Sequence, residues 1–72
     1  MKMNTASQIA EAFQDYLGHG NDAQEALQQA IEEFLGAQTD EYKAHVYAYV
    51  LDNYDRSRLS AVIAEGMVYE RG

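Results

Sequence analysis

The chain has no cysteine, no proline, no tryptophan and no long run of apolar residues. Without cysteine, disulfide bonds and thiolate metal sites are excluded, and two histidines by themselves do not make a zinc site. A membrane span needs about 18 consecutive apolar residues, and no segment approaches that length. We therefore predict that the protein uses no metal, no cofactor and no membrane partner.

The chain is also short, and its 72 residues predict one helical domain covering residues 1–72. A domain of this size buries only about 60% of its unfolded surface, so its margin of stability is thin. Since disulfides and metals are excluded, self-association is a natural source of further stability, and we expect a homodimer. Residues 1–5 lead into an amphipathic pattern rather than a continuous apolar stretch, so we expect no secretory signal and a cytoplasmic location.

Basic residues are missing from the first half of the chain. Between Met3 and Tyr42 there are eight carboxylates and neither lysine nor arginine, whereas residues 43–72 hold four acids and four bases. The formal net charge of −7 therefore comes from the first half. Such a surface repels nucleic acid and attracts basic proteins. We predict an acidic partner-binding face formed by Glu11, Asp15, Glu25, Glu32, Glu33, Asp40 and Glu41.

Apolar residues recur three and four positions apart throughout the sequence, which predicts an all-α fold. We expect a compact bundle of four short helices at about residues 6–17, 22–35, 39–54 and 57–69. Thr5 and Gln8 have the spacing of a capping box, and the short link after residue 17 makes the first two helices an antiparallel hairpin. Gly66 lies within the apolar stripe of the last helix, where it either permits a close helix contact or marks a frayed end.

The third helix differs from the others because it is apolar on two sides. Tyr42, Val46 and Tyr49 follow one face, and Tyr47 and Leu51 follow a second. A helix of this kind is either central in its domain or pressed against another chain. Tyrosine suits surfaces that are buried only on binding. We predict a dimer or partner interface formed by Tyr47, Leu51, Tyr42 and Tyr54.

Catalytic patterns are missing as well. A nucleophile needs a base within reach, and none of the serines shares a motif with His19 or His45. There is no glycine-rich phosphate loop, and the acidic pairs do not lie in a calcium-binding loop. We predict that the protein is not an enzyme. Direct binding of nucleic acid is disfavoured because it depends on lysine and arginine neutralising phosphates.

Three hypotheses for function remain. In the first, the acidic helices imitate the phosphate track of DNA and block a basic, nucleic-acid-handling protein complex. The size, charge and lack of cysteine are similar to those of small acidic inhibitors that bacteriophages and other mobile elements direct at host machinery, a resemblance that covers no motif. In the second, Tyr47 and Leu51 bind a regulatory protein and the charge serves solubility alone. The third is a structural helical dimer.

Overall fold

The computed structural model of the chain describes residues 4–69. Four α-helices follow one another, and a short 3-10 helix precedes the last; within the described residues there is no strand. The elements are α1 (Thr5–Gly18), α2 (Ala23–Leu35), α3 (Asp40–Asp52), the 3-10 helix (Arg56–Arg58) and α4 (Leu59–Tyr69). The predicted all-α class and the compact arrangement of four helices are confirmed.

The start of α1 differs from the prediction. The capping residue is Asn4, whose extended backbone (φ −77°, ψ 169°) lets its side chain accept a hydrogen bond from the Ser7 N–H at 2.8 Å. Thr5 is already the first helical residue, so the expected capping box with Gln8 is wrong. Asparagine is at least as good an N-cap as threonine, and here it lies one residue earlier in the chain.

The next two helices each begin after a residue whose side chain caps the first turn. Asp22 caps α2 by accepting from the Glu25 N–H at 2.8 Å, and Thr39 caps α3 by accepting from the Tyr42 N–H at 3.1 Å. Each bond satisfies one of the amide groups that a helix start leaves without an intrahelical acceptor. These caps fix where the acidic first turns of α2 and α3 begin.

The third helix is shorter than predicted. It ends at Asp52, where Asn53 leaves helical geometry (φ −114°, ψ 20°) and its side-chain amide joins its backbone N–H in donating to the Tyr49 carbonyl, each at 3.0 Å. Tyr54 therefore lies beyond the helix. Its ring meets that of Phe13 edge to face, with 5.9 Å between ring centroids and 89° between ring planes.

One apolar core holds the helices together. α1 packs against α2 and α4, and α3 packs against α2 and α4. All four α-helices contribute to the core, and no polar or charged residue among those described is buried. The buried residues are Ala6, Ile9, Ala10, Phe13, Ala26, Leu27, Ala30, Ile31, Leu35, Val46, Val50, Leu59, Val62 and Ile63.

Gly66 lies at the closest approach of α4 to α3. A Cβ atom added there would lie 3.1 Å from Cδ1 of Tyr49, which is tighter than ordinary van der Waals contact. Of the two interpretations of this glycine, the structure supports the close helix contact. Gly18, at the end of α1, has no atom within 4 Å of the corresponding position.

These two glycines give a matched test of the fold. We expect Gly66→Leu to lower the free energy of unfolding by about 1–3 kcal/mol, because the added side chain forces α3 and α4 apart. Gly18→Leu should leave stability nearly unchanged, since its position is open. Chemical denaturation followed by circular dichroism measures both. Equal effects at the two sites would contradict the packing described here.

Candidate acidic interaction site

The outward side of α2 forms a shallow groove of about 590 Å³ that we call the acidic groove. It exists because Ala26, Leu27 and Ala30 are fully buried, which turns the carboxylates of α2 away from the core. Its walls also include one turn residue and one tyrosine from the end of α1. The lining residues are Tyr16, Asn21, Glu25, Gln28, Gln29, Glu32 and Glu33.

Tyr16 joins α1 to this surface. Its hydroxyl donates a hydrogen bond to Oε1 of Glu33 at 2.7 Å. That bond to Glu33 raises the pKa of Tyr16 above its ordinary value of 10.0, with smaller contributions from desolvation and from the negative charges of Glu33 and Asp15. The charges of Asp15 on α1 and Glu33 on α2 therefore both act on the same phenol.

A second groove, the α2–α3 groove, continues from the first and has a volume of about 310 Å³. Gln28 and Glu32 belong to both grooves, so the two form one connected surface. The lining residues of the α2–α3 groove are Gln28, Ile31, Glu32, Asp40, Lys43, Ala44 and Tyr47.

Lys43 crosses this second groove. Its Nζ lies 3.0 Å from Oε2 of Glu32 and 3.8 Å from Oδ1 of Asp40, and it donates to the Gly36 carbonyl at 3.4 Å. The Lys43 side chain is 15% exposed, whereas that of Glu32 is 60% exposed and that of Asp40 fully exposed. Sequence reasoning missed this residue because it stands just past the base-free stretch. Its position three residues after Asp40 on the same helix was the available signal.

The structure places four of the seven predicted acidic residues in these grooves. Glu25, Glu32 and Glu33 line the acidic groove, and Asp40 lines the α2–α3 groove. Glu11, Asp15 and Glu41 are exposed and line neither groove, although the charge of Asp15 acts on the Tyr16 phenol. That these residues bind a partner remains a prediction. The structure shows which of them share a groove.

The four predicted interface residues lie in different places. Tyr47 lines the α2–α3 groove, and Leu51, one turn further along α3, is half-buried. Tyr42 lies against α4 instead, where its hydroxyl donates to the Met67 carbonyl at 3.3 Å. Tyr54 packs on Phe13 and remains 42% exposed. Tyr47, but neither Tyr42 nor Tyr54, lines a groove that also holds predicted acidic residues.

The 3-10 helix Arg56–Arg58 contacts two acidic residues, Asp55 and Glu65. Asp55 accepts hydrogen bonds from the Ser57 hydroxyl at 2.8 Å and the Ser57 N–H at 3.1 Å. These bonds, together with the charge of Arg58, lower the pKa of Asp55 below its ordinary value. Arg58 also lies 3.4 Å from Glu65 on α4. This end of the molecule carries both signs of charge, unlike the acidic groove, whose lining residues include no lysine or arginine.

Metal sites and membrane spans each have requirements that can be compared with the described residues. Within residues 4–69, no group of three or more His, Cys, Asp or Glu residues is placed to hold a metal ion. No helix in the same residues is long and apolar enough to cross a membrane. The structure is a small all-α fold with two adjoining grooves, one acidic and one partly apolar, on its surface.

Comparison of the chain with protein-family models, with curated proteins and with solved structures found no match. Function is therefore inferred from the chemistry of this surface.

The pKa of Tyr16 provides a test of its hydrogen bond to Glu33. Its raised pKa means that the neutral phenol stabilises the folded state below pH 10, the ordinary tyrosine value, and that this stabilisation is lost as pH rises through the raised pKa. We expect NMR titration of the Tyr16 ring to show a pKa that falls towards the ordinary value in Glu33→Ala. Glu25→Ala is the control and should leave the pKa as it is. A Tyr16 pKa indifferent to Glu33 would contradict the hydrogen bond.

Proposed function

We propose that this chain is a small, non-enzymatic protein-interaction module whose acidic groove binds the basic surface of a nucleic-acid-handling protein and excludes nucleic acid from it. In this proposal it acts in the cytoplasm as an inhibitor, in the manner of the small acidic proteins that bacteriophages direct at host machinery. The observation that carries the proposal is the clustering of Glu25, Glu32 and Glu33 on one exposed surface, with Asp40 in the adjoining α2–α3 groove.

The electrostatics of this surface favour a basic protein as the partner. Residues 4–42 include no lysine or arginine, so Lys43 is the sole base that reaches either groove from α1, α2 or α3. Proteins that bind DNA present lysine and arginine to its phosphates. A row of carboxylates on α2, extended by Asp40 on α3, offers the same sign of charge to those side chains.

The surface is less dense in charge than DNA. Duplex DNA carries about one phosphate per 1.7 Å of its axis, whereas Gln28 and Gln29 separate the carboxylates of α2 and Lys43 offsets part of their charge. The mixed surface fits a protein patch better than it copies a uniform duplex. We therefore propose that the protein competes with nucleic acid for a basic surface without copying the charge pattern of DNA.

A second candidate function uses the aromatic side of α3. Tyr47 and Leu51 are half-buried beside the α2–α3 groove, so a partner helix or a second copy of the chain would bury more of them. In that case the charge serves solubility, and the protein acts as a helical homodimer or as a ligand of a regulatory protein. Binding that persists at high salt would favour this alternative, since exposed charge pairs are screened.

The test of the proposed function is a pull-down from host lysate in which duplex DNA is added as competitor. We expect the triple variant Glu25→Gln, Glu32→Gln, Glu33→Gln to bind the captured protein roughly tenfold more weakly, because three lost exposed ion pairs of about 0.5 kcal/mol each add up to one decade. Duplex DNA should displace the wild-type chain from the same protein.

The matched control is the triple variant Glu11→Gln, Glu41→Gln, Asp52→Asn. It removes the same amount of charge, and its three residues line neither groove. Binding by this control should stay close to that of the wild type. If both triple variants bind equally, or if DNA does not compete, the proposed function is wrong.

A further inference from the structure

The α2–α3 groove combines an apolar floor with an acidic rim. Ile31 is buried at its base, Tyr47 forms a wall, and Glu32 and Asp40 stand at the edge with their carboxylates largely exposed. A site of this composition accepts a side chain that has an apolar stem and a cationic end. Both long basic side chains, lysine and arginine, meet that description.

Lys43 shows that the groove already binds a cation. Its ammonium contacts Glu32, Asp40 and the carbonyl of Gly36, and its side chain is 15% exposed. Of the two acids that it contacts, the side chain of Glu32 is 60% exposed and that of Asp40 is fully exposed. Their outward oxygen atoms are therefore accessible to a second cation. An incoming basic side chain either shares these acids with Lys43 or displaces it.

We propose that the α2–α3 groove receives an arginine side chain from the basic surface of the partner, with the guanidinium between Glu32 and Asp40 and against the ring of Tyr47. This inference rests on the proposed function and names the chemistry that the surface selects. Guanidinium is planar, donates from five N–H groups and stacks on aromatic rings. A lysine from the partner would bring only a second ammonium group, which Lys43 already supplies. The groove should therefore bind a partner arginine in preference to a partner lysine.

Lys43 then acts as an internal competitor that limits affinity. Exposed ion pairs contribute little, so a guanidinium with two carboxylates and an aromatic ring can displace the ammonium. In Lys43→Gln the ammonium is removed, so Glu32 and Asp40 become available to the partner. The aliphatic part of the glutamine side chain should keep some of the packing of the lysine stem. The effect is specific to this position, because Arg56 and Arg58 lie in another part of the fold.

The experiment measures binding of amidated hexa-arginine and hexa-lysine peptides by isothermal titration calorimetry. We expect the wild-type chain to bind hexa-arginine about fivefold more tightly than hexa-lysine, the increment of a cation–aromatic contact. Tyr47→Leu keeps an apolar wall and should weaken hexa-arginine binding more than hexa-lysine binding, so that the preference is lost. Equal affinities for the two peptides in the wild type, or a preference that survives in Tyr47→Leu, would overturn the proposal.

A second pair of variants tests the groove independently of Tyr47. Lys43→Gln and Arg56→Gln make the same change in net charge, but only Lys43 lines the groove. We expect Lys43→Gln to raise affinity for hexa-arginine by about three- to fivefold and Arg56→Gln by less than about twofold. Equal gains would show that net charge alone is acting, and the inference would fail.

The two proposals fail in different ways. If the triple variant of Glu25, Glu32 and Glu33 to glutamine abolishes binding of both peptides while Tyr47→Leu changes neither, the acidic surface stands and the arginine site is wrong. If the triple variant leaves both affinities intact, the proposed function itself is wrong. If the wild-type chain self-associates and Arg56→Gln with Arg58→Gln prevents it, a second copy occupies the groove and the partner-arginine proposal is overturned.

Discussion

The burial of one apolar stripe from each of the four α-helices in a single core is the interaction on which the rest of the structure depends. Phe13, Ile9, Leu27 and Ile63 are among the largest fully buried side chains. Full burial of such a side chain contributes about 1.5–3 kcal/mol, most of which is offset by the entropy of ordering the chain. With no buried polar group among the described residues, this small core also fixes the rotation of each helix.

The acidic surface follows from that rotation. Once the small and aliphatic residues of α2 face inward, the 3.6-residue repeat leaves its glutamates and glutamines on the outside. Such a concentration of like charge opposes folding. Two contacts reduce the repulsion: the Tyr16 hydroxyl on Glu33, and Lys43 between Glu32 and Asp40. The remaining charge is exposed, and it is what a basic partner would meet.

Much of the fold could be predicted from local signals. The spacing of apolar residues located all four helices, and the predicted starts at about residues 22 and 39 fall on the capping residues Asp22 and Thr39. The start of α1 and the end of α3 were missed because Asn4 and Asn53 compete through side-chain hydrogen bonds that apolar periodicity does not register. Such bonds shift the boundary of a helix without changing its existence.

The recognition surface was harder to predict because it depends on which helices touch. Sequence spacing placed Glu25, Glu32 and Glu33 on one helix face, but the additions of Tyr16 and Lys43 come from other helices. Tyr42 and Tyr47 both belong to α3, yet one contacts α4 and the other faces α2. Tertiary packing decides which residues of different helices share a surface. Local patterns in a single sequence do not show it.

The central claim is that the acidic groove and the adjoining α2–α3 groove are the contact surface. Amide chemical-shift mapping of the isotopically labelled chain, titrated with the protein captured from lysate, tests it most directly. The account predicts that the largest changes fall on Glu25, Gln28, Glu32, Glu33, Lys43 and Tyr47. Changes concentrated instead around Ala64 and the exposed Val68 on α4 would contradict it.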